Sequence, residues 1–256
     1  MRAPRPMACG RLNVLTAAAL IAIAVTVGTA APSASARRSA VVRPTQELAM
    51  LLTTHKVVSL KSRKLVSGLR ARASRASRVA PSRPITGQRT VLPVLAHATT
   101  ADGARWLRVM LPGRPNGRKG WIAQRGTVLT KTSWRLVVRT SSRRVLVYRQ
   151  GRLARSFAAV VGKPSTPTPH GHFFVEESVL MPPGSAGAPF ALATSARSNV
   201  LQEFEGGPGQ VALHGVANLG GTPGTAISHG CIRLANRNIA WLAARMGPGV
   251  PITITS

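Results

Sequence analysis

Residues 211–233 read VALHGVANLGGTPGTAISHGCIR. The stretch opens with Val211-Ala212-Leu213-His214-Gly215. It crosses a Gly-rich connection and closes with Ser228-His229-Gly230-Cys231-Ile232-Arg233. Apolar residues at 211 and 213 have the period of a strand, with His214 at its end. A thiol becomes a nucleophile only when a base lies near it. Two histidines precede Cys231 closely in sequence, His214 and His229. Gly230 permits a tight turn, and the N–H groups of Gly230 and Cys231 are then candidates to face an oxyanion. Arg233 is placed to grip a substrate carboxylate with its planar fork. Taken singly, each residue has a plainer reading. A lone cysteine is usually a small buried hydrophobe, a lone histidine a hydrogen-bonded loop residue, and an arginine a solvated one. Their conjunction in so short a segment points to a chemical site built around an activated thiol. A zinc reading of His/His/Cys lacks a fourth ligand, so no metal is expected.

The rest of the composition narrows the class. In 256 residues there are 35 Lys+Arg against 6 Asp+Glu, a net charge of +29. Six carboxylates provide no acidic cage for Mg²⁺ or Ca²⁺ and few pairs for glycosidase-type chemistry. Two cysteines exclude a disulfide framework. The basic charge invites a nucleic-acid reading. It is spread over the chain, however, and aromatics are only 4%, too few for stacking platforms. Anionic wall polymers are better suited partners than nucleic acid.

The N-terminus carries Arg2, Arg5 and Arg11, an apolar run from Val14 to Val27, and the small-x-small sequence Ala34-Ser35-Ala36. This is the layout of a cleaved secretory signal peptide over 1–36. An uncleaved anchor through 14–31 is the alternative. If the leader is removed, Cys231 is the one remaining thiol, unpaired in an oxidising compartment unless it is buried or used.

From 37 to 84 the chain reads as a basic helix and linker. Thr45 to Thr53 (TQELAMLLT) forms a short helix capped by Thr45, and Arg70 to Arg83 a solvated Arg/Ser/Ala linker. From 85 to 130, Thr90 to Leu95, Trp106 to Leu111 and Gly120 to Ala123 are strand signals separated by Gly/Pro turns, the pattern of a small β-barrel. From 131 onward the chain is mostly β. Strands fall at Trp134 to Arg139, Arg144 to Arg149, Leu153 to Val161, Phe173 to Val175, Ala191 to Ala193, Val211 to Leu213 and Ile252 to Ile254. One helix spans Asn236 to Met246, with apolar residues at 239, 242, 243 and 246.

Two resemblances follow from these residues. Val91-Leu92-Pro93-Val94, Trp106-Leu107-Arg108-Val109 and Gly120-Trp121-Ile122 resemble a bacterial SH3-like (SH3b) domain over 85–130, with a start as early as 55. Such domains often bind wall peptides, and a spacer barrel is the plainer alternative. His214 with Ser228-His229-Gly230-Cys231-Ile232-Arg233 resembles the signature of the YkuD-type L,D-transpeptidases. The likeness extends upstream through Val161-Gly162-Lys163-Pro164, Thr166-Pro167-Thr168-Pro169 and Gly171-x-Phe173, and downstream to the final Pro251-Ile252-Thr253-Ile254 strand.

This second resemblance implies a mainly β fold: a small SH3-like barrel followed by a transpeptidase-type β-sandwich with one helix near the C-terminus, over 131–256. It implies Cys231 as nucleophile, and His214 as base with its ring held by a backbone carbonyl, that of Gly215. His229 would polarise the site, Ser228 would fix the loop and Gly230 would hinge it, with Arg233 and Gly215 on the substrate side. The implied reaction builds peptidoglycan 3→3 cross-links between donor and acceptor stem peptides, with no cofactor, and carbapenem-type β-lactams would inhibit it. A hydrolytic L,D-carboxypeptidase would use the same residues. A basic, non-catalytic wall-binding protein is the reading from another class. His170 and His172 have no role in any of these.

Overall fold

A computed structural model describes residues 43–61, 70–72 and 77–256. The leader expected over 1–36 lies outside them, as do residues 62–69 and 73–76 of the expected linker. Among the described residues the chain is mainly β with a single helix.

The N-terminal part contains β1 (Gln46–Leu51), β2 (His55–Lys56), β3 (Ser59–Lys61), β4 (Arg70–Arg72), β5 (Arg78–Val79), β6 (Val91–Thr99), β7 (Arg105–Met110), β8 (Lys119–Ala123) and β9 (Thr127–Thr132). Five of them form one antiparallel sheet in the order β8-β7-β6-β1-β9, and β2 pairs with β5. Leu92, Leu107, Val109 and Ile122 fill its core. Each comes from a strand expected from the sequence.

Two expectations for this region are corrected. Residues Thr45 to Thr53 are not a helix. Their central part is β1, bonded to β6 on one side and β9 on the other. A helix of about nine residues is marginal on its own, because nucleation is costly. Here an open slot between two strands satisfies both backbone edges while Ala49 and Leu51 become fully buried. The sheet therefore begins at 46, upstream of both 85 and the earlier start near 55. Nor is Arg70 to Arg83 simply a solvated linker. Val79 joins the core, Pro81 accepts the N–H of Thr90, and the Arg83 guanidinium pairs with the buried carboxylate of Glu176.

The C-terminal part contains β10 (Trp134–Arg139), β11 (Arg144–Arg149), β12 (Arg152–Ala158), β13 (Val161–Gly162), β14 (Gly171–Leu180), β15 (Phe190–Arg197), β16 (Gln210–Gly215), β17 (Ala226–Ser228), β18 (Ile232–Leu234), α1 (Asn236–Ala243) and β19 (Pro251–Thr255). Eight strands make one sheet in the order β12-β11-β10-β19-β14-β15-β16-β18. The last strand enters its middle, parallel to β10 and antiparallel to β14. β13 and β17 pair separately and in parallel.

The two-residue period of β14 joins the two cores. Phe173 and Val175 point into the C-terminal core, while Phe174 between them completes the N-terminal one. Helix α1 lays Ile239 and Leu242 on β15 and β16. Each side chain is fully buried, which is worth about 1.5–3 kcal/mol apiece. At its N-terminus, Asn236 Oδ1 accepts the Val216 N–H at 3.0 Å, tying the helix to the strand that ends at His214 and Gly215.

Candidate active site

Two short parallel strands position the site. The register of β16 on β18 pairs Leu213 with Ile232, His214 with Arg233 and Gly215 with Leu234. Paired residues on adjacent strands share a face, and successive residues alternate. Val211, Leu213, Ile232 and Leu234 accordingly point into the core. Ala212, His214, Cys231 and Arg233 have the opposite parity, and all four are half-buried. One register thus places thiol, imidazole and guanidinium on a single accessible face.

The tautomer of His214 follows from its neighbour. Its Nδ1 lies 2.8 Å from the Gly215 carbonyl. A carbonyl only accepts, so Nδ1 carries the proton and Nε2 is left as the free base. The ring is held from behind. A Cβ on Gly187 would lie 2.7 Å from Nδ1, and one on Gly215 would lie 1.9 Å from the Ala188 carbonyl oxygen. Burial pushes His214 below the usual imidazole range. The hydrogen bond to Gly215 opposes this shift and the Arg233 charge reinforces it. Burial pushes the Cys231 thiol up, against a backbone N–H from Ala212 and the charge of Arg233. The Cys231 sulfur lies 4.0 Å from the Gln210 carbonyl oxygen. Both shifts favour uncharged forms, so the resting pair is a neutral thiol with a neutral imidazole.

The Ser228–Cys231 turn is built from within. Ser228 is fully buried. Its Oγ donates to the Cys231 carbonyl at 2.6 Å and accepts the Gly230 N–H at 3.1 Å. Gly230 sits at φ +120°, which a side chain would strain. The Thr-Pro-Thr-Pro run braces this turn from below. Thr166 Oγ1 donates to the Ser228 carbonyl at 3.2 Å, and Thr168 Oγ1 donates to the Gly230 carbonyl at 2.9 Å while accepting the Gly162 N–H at 2.9 Å. A Cβ on Gly162 would come within 2.4 Å of the Thr168 nitrogen.

Three expected roles change. The Gly230 N–H is already bonded to Ser228, so it is not a free oxyanion donor. Gly215 is engaged in the same way: its N–H goes to the Gly187 carbonyl at 2.7 Å and its own carbonyl takes His214. Arg233 spends part of its fork inside the chain. Its Nη1 donates to the Gly220 carbonyl at 2.5 Å and its Nε is buried without a partner, so it braces the loop between His214 and Ser228. His229 is exposed and stacks on Phe204, with ring centroids 5.6 Å apart and planes at 30°. His170 and His172 do not join the site; their rings meet the hydroxyls of Thr140 and Thr253. Among the described residues no three His, Cys, Asp or Glu gather as metal ligands.

The model of the YkuD family, an L,D-transpeptidase catalytic domain, matches residues 133–254. Those residues are a YkuD-type L,D-transpeptidase catalytic domain. The protein of Bacillus licheniformis assigned as a YkuD L,D-transpeptidase is 30% identical over 122 residues, covering 48% of this chain and 66% of that protein. L,D-transpeptidase 1 of Mycobacterium tuberculosis is 32% identical over 130 residues, covering 46% and 49%. The chain thus spans less than two thirds of the length of either curated relative. An L,D-transpeptidase solved in complex with imipenem superposes with a TM-score of 0.41 at 23% identity, over 64% of this chain and 90% of that one.

Within the YkuD domain, Thr166 and Thr168 carry a weak signal in the sequence: they are interleaved with prolines, which supply no N–H, so the two hydroxyls add donors where the backbone offers few. Phe204, Gln210 and Gly187 carried no comparable signal. Their roles arise from which loops meet, and spacing does not encode that.

Proposed function

We propose that this chain is a secreted peptidoglycan L,D-transpeptidase that forms 3→3 cross-links through a Cys231 thioester. The reading rests above all on the β16–β18 register, which sets Cys231 and His214 on one face with Nε2 of His214 unprotonated. Membership of residues 133–254 in the YkuD family supports it. The 46–132 sheet is read as the SH3b-like part, and residues 1–36 as the leader that exports the chain.

His214 Nε2 takes the Cys231 proton as the sulfur attacks the carbonyl of the L-centre of the donor stem's third residue. The C–N bond to D-Ala breaks, and the imidazolium returns its proton to the departing amine. A side-chain amine of a second stem then attacks the thioester, passing its proton to His214. The C–S bond breaks, and the sulfur recovers a proton from the imidazolium. With water as the acceptor, the same steps give an L,D-carboxypeptidase. A strained β-lactam carbonyl meets the same thiol, so carbapenems should acylate Cys231; the imipenem complex of a relative is in keeping with this. The proposed test is intact-mass spectrometry of residues 37–256 with a carbapenem and with a tetrapeptide stem. Wild type should gain one carbapenem mass and release D-Ala, and Cys231→Ala should do neither. A folded wild type that gains no adduct and releases no D-Ala sinks the reading.

A further inference from the structure

The loop between β15 and β16, residues 198–209, forms one side of the site. It carries Phe204, stacked on His229, and it ends against Gln210, whose carbonyl faces the Cys231 sulfur. Most of its residues are exposed. Phe204 and Gly207 close its tip by exchanging backbone hydrogen bonds at 2.9 and 3.0 Å.

Both legs of this loop are gripped by the N-terminal part, through the connection between β7 and β8. Arg114 Nη1 donates to the Ser198 carbonyl at 2.7 Å, and Nη2 donates to those of Leu201 at 3.0 Å and Pro208 at 3.4 Å. Asn116 adds Nδ2 to the Arg197 carbonyl at 2.8 Å and accepts the Arg197 N–H at 2.9 Å. The fit is close: a Cβ on Gly209 would lie 2.0 Å from the Leu201 oxygen and 3.2 Å from Arg114 Nη2. A guanidinium spreads several donors in one plane, so one side chain can bind carbonyls on both legs, where a lysine offers a single point. Arg114 takes part in none of the ion pairs among the described residues; its bonds go to the loop.

We infer that Arg114 is a positioning residue for the active site, holding the 198–209 loop so that Phe204 stays on His229 and walls the approach to Cys231. The N-terminal domain thereby completes the substrate groove. The inference deepens the acyl-transfer reading and rests on it for the substrate's identity. A loop ordered in advance spares the substrate the entropy of ordering it on binding. Arg114 therefore acts on substrate affinity and leaves the thiol's own reactivity alone.

The test uses the full chain with Arg114→Ala, Arg114→Lys, Phe204→Ala and the Arg114→Ala/Phe204→Ala double variant. Alkylation of Cys231 by iodoacetamide, which needs no groove, should stay within about twofold of wild type in Arg114→Ala. KM for the tetrapeptide stem should rise about tenfold in each alanine single variant with kcat within about threefold, and the double variant should be no worse than either, as for residues acting through one contact. Arg114→Lys should recover only part of the loss. Hydrogen exchange of amides 199–207 should quicken in Arg114→Ala while that of β16 stays slow. Multiplying effects in the double variant, or an unchanged loop exchange, overturns the inference. If wild type neither processes the stem peptide nor takes up a carbapenem, the acyl-transfer reading falls, and the exchange of 199–207 still decides whether Arg114 holds the loop.

Discussion

His214 and Arg233 face each other across β16 and β18 as one pair of a parallel register, and Cys231, the residue before β18, takes the Ala212 N–H. The guanidinium sits where its charge lowers both the imidazole and the thiol. Replacing it with a neutral side chain should therefore move both groups upward. In Arg233→Gln, the pH midpoint of Cys231 alkylation and the acid limb of carbapenem acylation should both shift to higher pH. Arg233→Lys keeps the charge and should shift them less. Rates of the two reactions across pH check this, and unmoved midpoints in Arg233→Gln would show that the arginine acts only as a brace for Gly220.

The neutral state of the Cys231/His214 pair makes a second prediction, because two reactions then report different groups. Iodoacetamide reads the thiolate fraction, so its rate should keep rising beyond the ordinary thiol pKa of about 8.5. Carbapenem acylation uses His214 as base, so it should fall only when the imidazole is protonated, below the ordinary value of about 6.5. A preformed thiolate–imidazolium pair would instead give an alkylation plateau through neutral pH. Measuring both profiles on one preparation separates the cases.

The brace beneath the turn can be tested without touching the thiol. Thr168→Val keeps the shape of the side chain but strips the donor from the buried Gly230 carbonyl and the acceptor from the half-buried Gly162 N–H. Each orphaned group costs about 1–3 kcal/mol. For a chain of this size, each kcal/mol lowers Tm by about 2–4 °C. Acylation should slow as well, because the turn that carries Cys231 loses its support. Calorimetry with acylation kinetics checks both. A variant with wild-type Tm would mean that water replaces the hydroxyl at no cost.

How much of this was legible in the sequence depends on the range of the interactions. Trp134–Arg139 and Arg144–Arg149 match their expected bounds, because apolar alternation and a turn are local signals. His214, Cys231 and the His214–Gly215 contact were legible through a specific motif. β17 and β18 were not: each has three residues, too few to show a period, and their pairing depends on partners far along the chain. QELAML could not be told from a helix, since a short apolar run has no clear period and the open slot between β6 and β9 decides its state. The helix was right in type, but it ends at Ala243 rather than Met246 because the last turn tightens, with the Arg245 and Met246 N–H groups both reaching the Leu242 carbonyl. The missing roles of Gly230 and Gly215 have a common cause. Sequence shows which N–H groups exist, but a hydroxyl or carbonyl already bonded to them appears only in three dimensions.

The ion cluster where Arg83 meets β14 gives a last prediction, one about stability. Glu176 is almost fully buried and is shared by Arg197, at 3.1 Å, and Arg83. Glu177 beside it accepts the Thr86 N–H at 3.0 Å and the Thr86 hydroxyl at 2.9 Å. Burial already pushes Arg197 down to about 10 and lowers Arg83, where the charge of Glu177 opposes the shift. Glu176→Gln removes the carboxylate that Arg83 and the buried Arg197 share and leaves only Glu177, 4.0 Å from Arg83 Nε, at a cost of about 3–5 kcal/mol. The Glu47–His97 pair is its opposite, with side chains 30% and 51% exposed. Screening by water limits Glu47→Gln to about 0–1 kcal/mol. Urea denaturation of both variants at neutral pH makes the comparison. Equal midpoints would show that Glu176 contributes no more than a surface pair, and that packing at Phe174 and the hydrogen bonds of Arg114, Asn116 and Thr86 join the two parts of the chain without it.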